Sequence, residues 1–237
     1  MGVVEPTRIK FCGITNLADA ERAREAGAWA IGLVLWPRSP RRCDPDEAAA
    51  IAAKLRRRIE VVGVFVNPTL AHLARRSEEI GLTMIQLHGD EGPSFCAEAA
   101  RRTGCKVIKA MRVSSGADIQ ALVPFATDYH LLDSRVVGRR GGTGETFDWE
   151  LARAHRGPVP AILSGGLTPA NVAEAISVVK PFAVDVASGV ESAPGRKDPH
   201  KLEQFVKEVA GAHAPRPRAD HDRPGRTEHV PAGTTHT

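Results

Sequence analysis

The sequence predicts a single (β/α)8 barrel, also called a TIM barrel, of the α/β class, on three observations. Short apolar runs alternate with segments of helical periodicity, a pattern typical of parallel strands joined by crossover helices. Eight such units fit into residues 1–210 of the 237-residue chain, which is an ordinary size for one barrel domain. The Gly-x-Gly-x-x-Gly fingerprint of an open dinucleotide-binding sheet does not follow the first run, where Cys12-Gly13-Ile14-Thr15 stands instead. We therefore expect a closed barrel rather than an open, doubly wound sheet.

The predicted strands are the apolar runs that turn-forming residues bound. In order they span residues 9–11, 30–35, 61–66, 84–87, 107–110, 129–132, 161–163 and 182–186. The segments between them have helical spacing, and the predicted helices span residues 18–26, 45–55, 70–80, 95–102, 117–122, 149–154, 169–179 and 199–209. Asp44 before Pro45, and Thr168 before Pro169, each supply an N-cap acceptor followed by a proline at the first helical position.

Composition narrows the classes of partner. Lys and Arg total 32 against 28 Asp and Glu, and aromatic residues make up 5%, so neither charge nor stacking surface favours nucleic acid. No run approaches the roughly 18 apolar residues that a membrane span needs. The four cysteines form no C-x-x-C pair and no leader-like segment precedes the first strand, so we expect a cytoplasmic protein. Residues 211–237 are rich in Pro, His and Arg without period, and we expect a disordered tail.

The carboxyl ends of the strands are where barrel enzymes place their chemistry. Cys12 follows the first predicted strand and offers a titratable thiol, whereas Asp133 follows the sixth and offers a carboxyl group. Either residue alone is also compatible with a structural role, as a small core residue or as a cap. Arg41, in a proline-stiffened loop, suits a carboxylate or a phosphate, although solvated surface charge is the alternative.

Two glycine-bearing loops follow the last two predicted strands. They contain Gly165-Gly166 and Ser188-Gly189, and loops at these strands frequently bind phosphate because backbone N–H groups can approach its oxygens. Ordinary turns are the alternative. His88, Asp90 and Glu91 could suggest a metal, but we expect the two acids to face solvent or to cap a helix, and we predict no metal.

Six motifs, in order along the chain, resemble those of the phosphoribosylanthranilate isomerases. They are Lys10-Phe11-Cys12-Gly13-Ile14-Thr15, Gln86-Leu87-His88-Gly89-Asp90-Glu91, Leu131-Leu132-Asp133, the segment 141–149, Ser164-Gly165-Gly166-Leu167, and Val184-Asp185-Val186 with Ser188-Gly189-Val190-Glu191. The resemblance covers residues 9–209. It implies an Amadori rearrangement of N-(5-phosphoribosyl)anthranilate, a phosphosugar substrate of tryptophan biosynthesis, without a cofactor.

The same resemblance assigns roles. Cys12 would be the base and Asp133 the acid, which requires an ionised thiol beside a positive charge and a protonated carboxyl in an apolar pocket. Arg41 would bind the substrate carboxylate. The phosphate would lie on Gly165, Gly166, Ser188 and Gly189, with Asp185 shaping that loop. We expect Gln86 and His88 to contact the catalytic residues rather than the substrate itself.

Two residues depart from the family pattern: Glu145 stands where lysine is common, and Ala187 where serine is frequent. The rival interpretations are the related histidine-pathway isomerase, or an enzyme that accepts both substrates, and a non-catalytic phosphosugar-binding barrel. The sequence identifies no tryptophan-pathway enzyme as a partner.

Overall fold

The computed structural model describes residues 6–133 and 149–212, and these form a closed barrel of eight parallel strands in sequential order. The predicted fold class is confirmed. The strands are β1 (Arg8–Cys12), β2 (Ala30–Val34), β3 (Glu60–Phe65), β4 (Met84–Leu87), β5 (Lys106–Arg112), β6 (Tyr129–Asp133), β7 (Ala161–Ser164) and β8 (Ala183–Val186). β8 pairs with β1, with Lys10 opposite Asp185, and this pairing closes the sheet.

Eight helices cover the outside of the barrel in the described part of the chain. They are α1 (Leu17–Glu25), α2 (Pro45–Leu55), α3 (Leu70–Ile80), α4 (Pro93–Thr103), α5 (Gly116–Ala121), α6 (Trp149–Arg153), α7 (Val172–Val179) and α8 (Pro199–Gly211). The predicted cap of α2 is confirmed, because the Asp44 side chain accepts a hydrogen bond from the backbone N–H of Asp46. None of these helices is long and apolar enough to cross a membrane.

The core has two layers, because alternate residues of each strand point to opposite faces of the sheet. One layer fills the barrel and consists of alanines, branched aliphatic side chains and one methionine: Ala30, Val62, Met84, Ile108, Ala110, Leu131, Ile162 and Ala183. Trp29, Tyr129 and Phe182 pack against it, with ring centroids 5.2 to 5.4 Å apart. These three rings lie at the amino ends of their strands, so they close the end of the barrel opposite the predicted site.

Two local predictions differ from the structure. Thr168 does not cap α7, which begins at Val172, because the Asn171 side chain accepts from the Thr168 N–H and donates to the Gly166 carbonyl, holding residues 166–171 as a turn. The last helix extends to Gly211, beyond the predicted domain boundary at residue 210. The remainder of the predicted disordered tail, residues 213–237, lies outside the described residues, as does most of the segment 141–149.

A short structure that the sequence analysis missed follows β8. A 3-10 helix, Ser188–Val190, leads into an antiparallel hairpin of β9 (Glu191–Ala193) and β10 (Arg196–Lys197). The Thr15 hydroxyl donates to the Gly195 carbonyl at 2.6 Å, which ties the hairpin to the loop after β1. The hairpin therefore lies over the mouth of the barrel beside Cys12.

Candidate active site

Cys12 is the last residue of β1 and points into the barrel. Phe11 faces outward, where it packs against Phe205 of α8 with ring centroids 6.1 Å apart, so its neighbours Lys10 and Cys12 face inward by strand alternation. Both inward residues are buried. The structure thus places a thiol and an ammonium on the same face of one strand, at the end of the barrel where chemistry is expected.

The environment of Cys12 corrects one expectation. Burial raises the pKa of the Cys12 thiol above its ordinary value, although the charges of Lys10 and Lys197 act in the opposite direction. A thiol that acts as a base near neutral pH should ionise more readily than a free one. The direction of the shift in the structure is opposite to this requirement.

Lys10 is fully buried and is paired with a carboxylate. Its Nζ donates to Asp185 Oδ1 at 2.7 Å, and Asp185 Oδ2 accepts from the Ser164 hydroxyl at 3.1 Å. Burial opposes the charge on Lys10, but Asp185 and Cys12 raise the pKa of its ammonium nevertheless. Asp185 thus connects β1 to the end of β7, immediately before the first glycine loop.

Lys197 approaches Cys12 from the hairpin. Its Nζ donates to the carbonyl oxygens of Cys12 at 2.6 Å and Ala187 at 3.2 Å, and to Glu191 Oε1 at 3.1 Å. Burial lowers the pKa of the Lys197 ammonium, and the Glu191 carboxylate offsets part of this effect. Three acceptors occupy the three hydrogens of this ammonium. Lys197 therefore fixes the backbone around Cys12.

Arg41 is held in a fixed orientation by Glu191. The guanidinium approaches the carboxylate side-on, with Nε donating to both oxygens at 2.9 and 3.0 Å and Nη2 donating to Oε2 at 2.7 Å. Burial disfavours a charged Glu191, but the hydrogen bonds from Arg41 and the charge of Lys197 hold its pKa below the ordinary value. Gly13 has a φ of +77°, and a Cβ there would lie 2.8 Å from Arg41 Cδ, so glycine is needed for this close approach.

Asp133 ends β6 at the same mouth, and its neighbour is His88. His88 Nε2 lies 3.4 Å from Asp133 Oδ2, and His88 Nδ1 lies 2.9 Å from Gln86 Nε2. The amide nitrogen can only donate, so this orientation leaves the imidazole proton on Nε2, facing Asp133. Gln86 and His88 therefore form a chain of contacts that ends at Asp133.

The acids after His88 differ from the prediction. Glu91 is buried rather than solvent-facing, and it pairs with the buried Lys109 of β5 at 3.0 Å. Its oxygens also accept from the backbone N–H groups of Asn67 at 2.7 Å and Gly89 at 2.9 Å. Asp90 is exposed and bonds only to Asn67 among the described residues. Glu91 thus fixes the loop that carries His88, and the described residues contain no cluster of three or more metal-ligand side chains.

The two glycine loops contact each other directly. Gly165 and Gly166 have φ values of +96° and +68°, which side chains rarely adopt. A Cβ at Gly189 would lie 1.9 Å from the carbonyl oxygen of Leu167, so the 3-10 helix packs tightly against the first loop. Loops after the seventh and eighth strands that meet with exposed backbone have the form of a phosphate site in this fold.

Two charged groups were missed by the sequence analysis. Lys10 stands two residues before Cys12 on a strand, and this spacing alone would have predicted that both side chains face the barrel interior. Lys197 has no such local signal, because only the folded hairpin brings it to Cys12. The predicted residues fall into a thiol side, with Cys12, Arg41 and Asp185, and a carboxyl side, with Asp133, His88 and Gln86. A barrel mouth that carries a thiol, a carboxyl group and a partly exposed arginine is suited to proton transfer on an anionic substrate.

Comparisons with known proteins identify the family of this chain. A family model described as N-(5'phosphoribosyl)anthranilate (PRA) isomerase matches residues 9–208. Proteins named N-(5'-phosphoribosyl)anthranilate isomerase from Citrifermentans bemidjiense and Geobacter sulfurreducens are 46% and 47% identical, over 86% of this chain and 97% and 98% of theirs.

Solved structures give the same result. The phosphoribosyl anthranilate isomerase of Thermotoga maritima has 42% identity and a TM-score of 0.79, and the match covers 86% of this chain and 99% of that one. A phosphoribosyl anthranilate isomerase solved in complex with reduced 1-(o-carboxyphenylamino)-1-deoxyribulose 5-phosphate has 40% identity and a TM-score of 0.74 over the same shares. The chain therefore belongs to the N-(5'-phosphoribosyl)anthranilate isomerase family.

Proposed function

We propose that this barrel catalyses the Amadori rearrangement of N-(5-phosphoribosyl)anthranilate to 1-(2-carboxyphenylamino)-1-deoxyribulose 5-phosphate, with Cys12 as the base and Asp133 as the acid. The observation that carries this proposal is the position of the two groups. Each is the last residue of its strand, and both strands end at the same mouth of a closed parallel barrel.

The protons balance across the reaction. Asp133 gives its proton to the furanose ring oxygen, and the ring opens to a Schiff base. Cys12, as thiolate, removes the proton from C2′ and leaves an enolamine, which becomes the ketone when the proton on the C2′ hydroxyl is lost and C1′ gains one. Exchange with water then returns a proton to Asp133 and removes one from Cys12.

The anionic ends of the substrate determine its placement. Glu191 occupies the side-on edge of the Arg41 guanidinium, which leaves the Nη1–Nη2 edge for a bidentate bond to the anthranilate carboxylate. The loops of Gly165–Gly166 and Ser188–Gly189 would hold the phosphate, with Asp185 fixing the first loop through Ser164. Binding at both ends would place the sugar between the thiol and the carboxyl.

Fluorescence-monitored turnover of freshly prepared phosphoribosylanthranilate tests the proposal. We expect Cys12→Ser and Asp133→Asn each to lose kcat by a factor on the order of 10²–10⁴, because each removes one proton-transfer group. Cys105→Ser is the matched control, since Cys105 has the same 8% exposure as Cys12 but lies away from the mouth. Circular dichroism confirms folding of each variant.

Other results would favour other functions. A wild type that binds the product analogue but does not turn over substrate would be a binding protein, and the proposal would fail. A wild type that also isomerises the histidine-pathway aminoaldose would have broader specificity than we propose.

A cytoplasmic location fits the four cysteines, which are all free thiols, because a reducing compartment keeps them so.

A further inference from the structure

The charges around Cys12 do not balance when its thiol is neutral. Two fully buried ammonium groups, Lys10 and Lys197, and the largely buried guanidinium of Arg41 face two buried carboxylates, Asp185 and Glu191. Among the described residues these five groups leave one surplus positive charge beside the thiol. A thiolate at Cys12 would neutralise this surplus, so the surplus charge offsets part of the cost of burying the thiolate.

Lys10 is the cation that can contact the sulfur. A Cβ placed on Gly32 would lie 2.8 Å from Cys12 Sγ and 3.0 Å from Lys10 Nζ, so the thiol and the ammonium flank the same missing side chain. The ammonium has one carboxylate acceptor, Asp185, which leaves hydrogens for the sulfur. The three hydrogens of Lys197 are already given to oxygen atoms.

The neighbours of Cys12 act on it with opposite signs. Burial is the largest effect and raises the pKa of the thiol, Lys10 and Lys197 lower it, and the Asp185 carboxylate raises it. Lys10 and Asp185 form one ion pair, so their effects on the thiol can be separated only by removing one charge at a time.

We propose that Lys10 is the positioning residue that stabilises the Cys12 thiolate during proton abstraction, while Asp185 restrains its charge and Gly32 leaves room for their contact. The inference rests on the proposed role of Cys12 as the base. It adds a residue whose positive charge allows the Cys12 thiolate to form in a buried site.

Titration of the thiolate tests the inference without turnover. The ultraviolet absorbance of the thiolate is followed against pH, with the Cys12→Ser spectrum subtracted to remove the other three cysteines. We expect Lys10→Met to move the titration midpoint to higher pH by about 1–3 pH units, and Asp185→Asn to move it to lower pH. Lys106→Met is the control: it removes a lysine of β5 that is paired with Glu60 away from the thiol, and it should leave the midpoint unchanged.

Opposite shifts from the two variants support the inference, and the acid limb of kcat/KM should move with them. The double variant Lys10→Met/Asp185→Asn removes the pair without leaving a lone buried charge. If Lys10→Met alone fails to fold, the double variant is compared with Asp185→Asn, and its midpoint should lie at higher pH. A midpoint that is unchanged in folded Lys10→Met, or that is the same in the double variant as in Asp185→Asn, would overturn the inference. If Cys12→Ser still turns over substrate, the proposed function of Cys12 fails instead, whatever the titration shows.

Discussion

At the residue scale, Arg41 uses two edges of one guanidinium for two partners. Glu191 takes the side-on edge and is itself held by Lys197, so the arginine is oriented before substrate arrives. Orientation before binding reduces the entropy that the complex must lose. The orientation of the Arg41 guanidinium therefore depends on the buried Glu191 as much as on the loop that carries Arg41.

We expect Arg41→Lys to raise KM for phosphoribosylanthranilate by roughly 10-fold or more, with a smaller effect on kcat. A lysine cannot hold Glu191 and also present a planar fork to a carboxylate. Steady-state kinetics measure this split. Arg42→Lys, at the exposed neighbouring position, should behave like wild type. Equal kinetics for the two variants would mean that Arg41 does not bind the substrate.

At the element scale, the 3-10 helix after β8 depends on a contact that only glycine permits. Because a Cβ at Gly189 would overlap the Leu167 carbonyl, any side chain there forces the two glycine loops apart. The loops come from neighbouring strands, β7 and β8, which are themselves joined through Asp185 and Ser164. The geometry of the proposed phosphate site therefore depends on the distance between the loop after β7 and the loop after β8.

Gly189→Ala should weaken substrate binding by a factor on the order of 10–100, because displacement of the loop by about 1 Å misplaces the phosphate and the sugar with it. KM, and inhibition by inorganic phosphate, should both change. Gly116→Ala is the control, since nothing lies within 4 Å of a Cβ at that position. Unchanged phosphate inhibition in Gly189→Ala would place the phosphate elsewhere.

At the scale of the whole molecule, a buried ion pair links three strands. Glu91, in the loop after β4, accepts from Lys109 of β5 and from the backbone after β3, where Asn67 has a φ of +47°. Removing one member leaves an uncompensated charge in the interior, which is more costly than the pair itself. This network fixes the loop after β4, which carries His88.

Lys109→Met should lower the free energy of unfolding by about 3–5 kcal/mol in urea denaturation. Lys106→Met removes a half-exposed lysine of the same strand, paired with Glu60, and should cost no more than about 1 kcal/mol. Glu91→Gln combined with Lys109→Met should be less destabilising than the sum of the single changes. Equal losses for Lys106 and Lys109 would show that burial of the pair is unimportant.

The order of elements was predictable because each strand and helix has its own local period. Strand ends then placed Cys12 and Asp133 at one mouth without any knowledge of contacts. Element ends were less predictable: the turn at residues 166–171 depends on the side chain of Asn171, which competes with the cap at Thr168. The solvent-facing role assigned to Glu91 was wrong because its partner, Lys109, is on another strand.

The sequence by itself determined the barrel, the family and the two proton-transfer candidates, because apolar period and short motifs are local properties of the chain. Only the tertiary structure decided the charge around Cys12. Lys197 reaches the Cys12 carbonyl from 185 residues away, and Lys10 meets Asp185 across 175. A pKa depends on burial and on neighbouring charges, and both arise only when distant segments pack together.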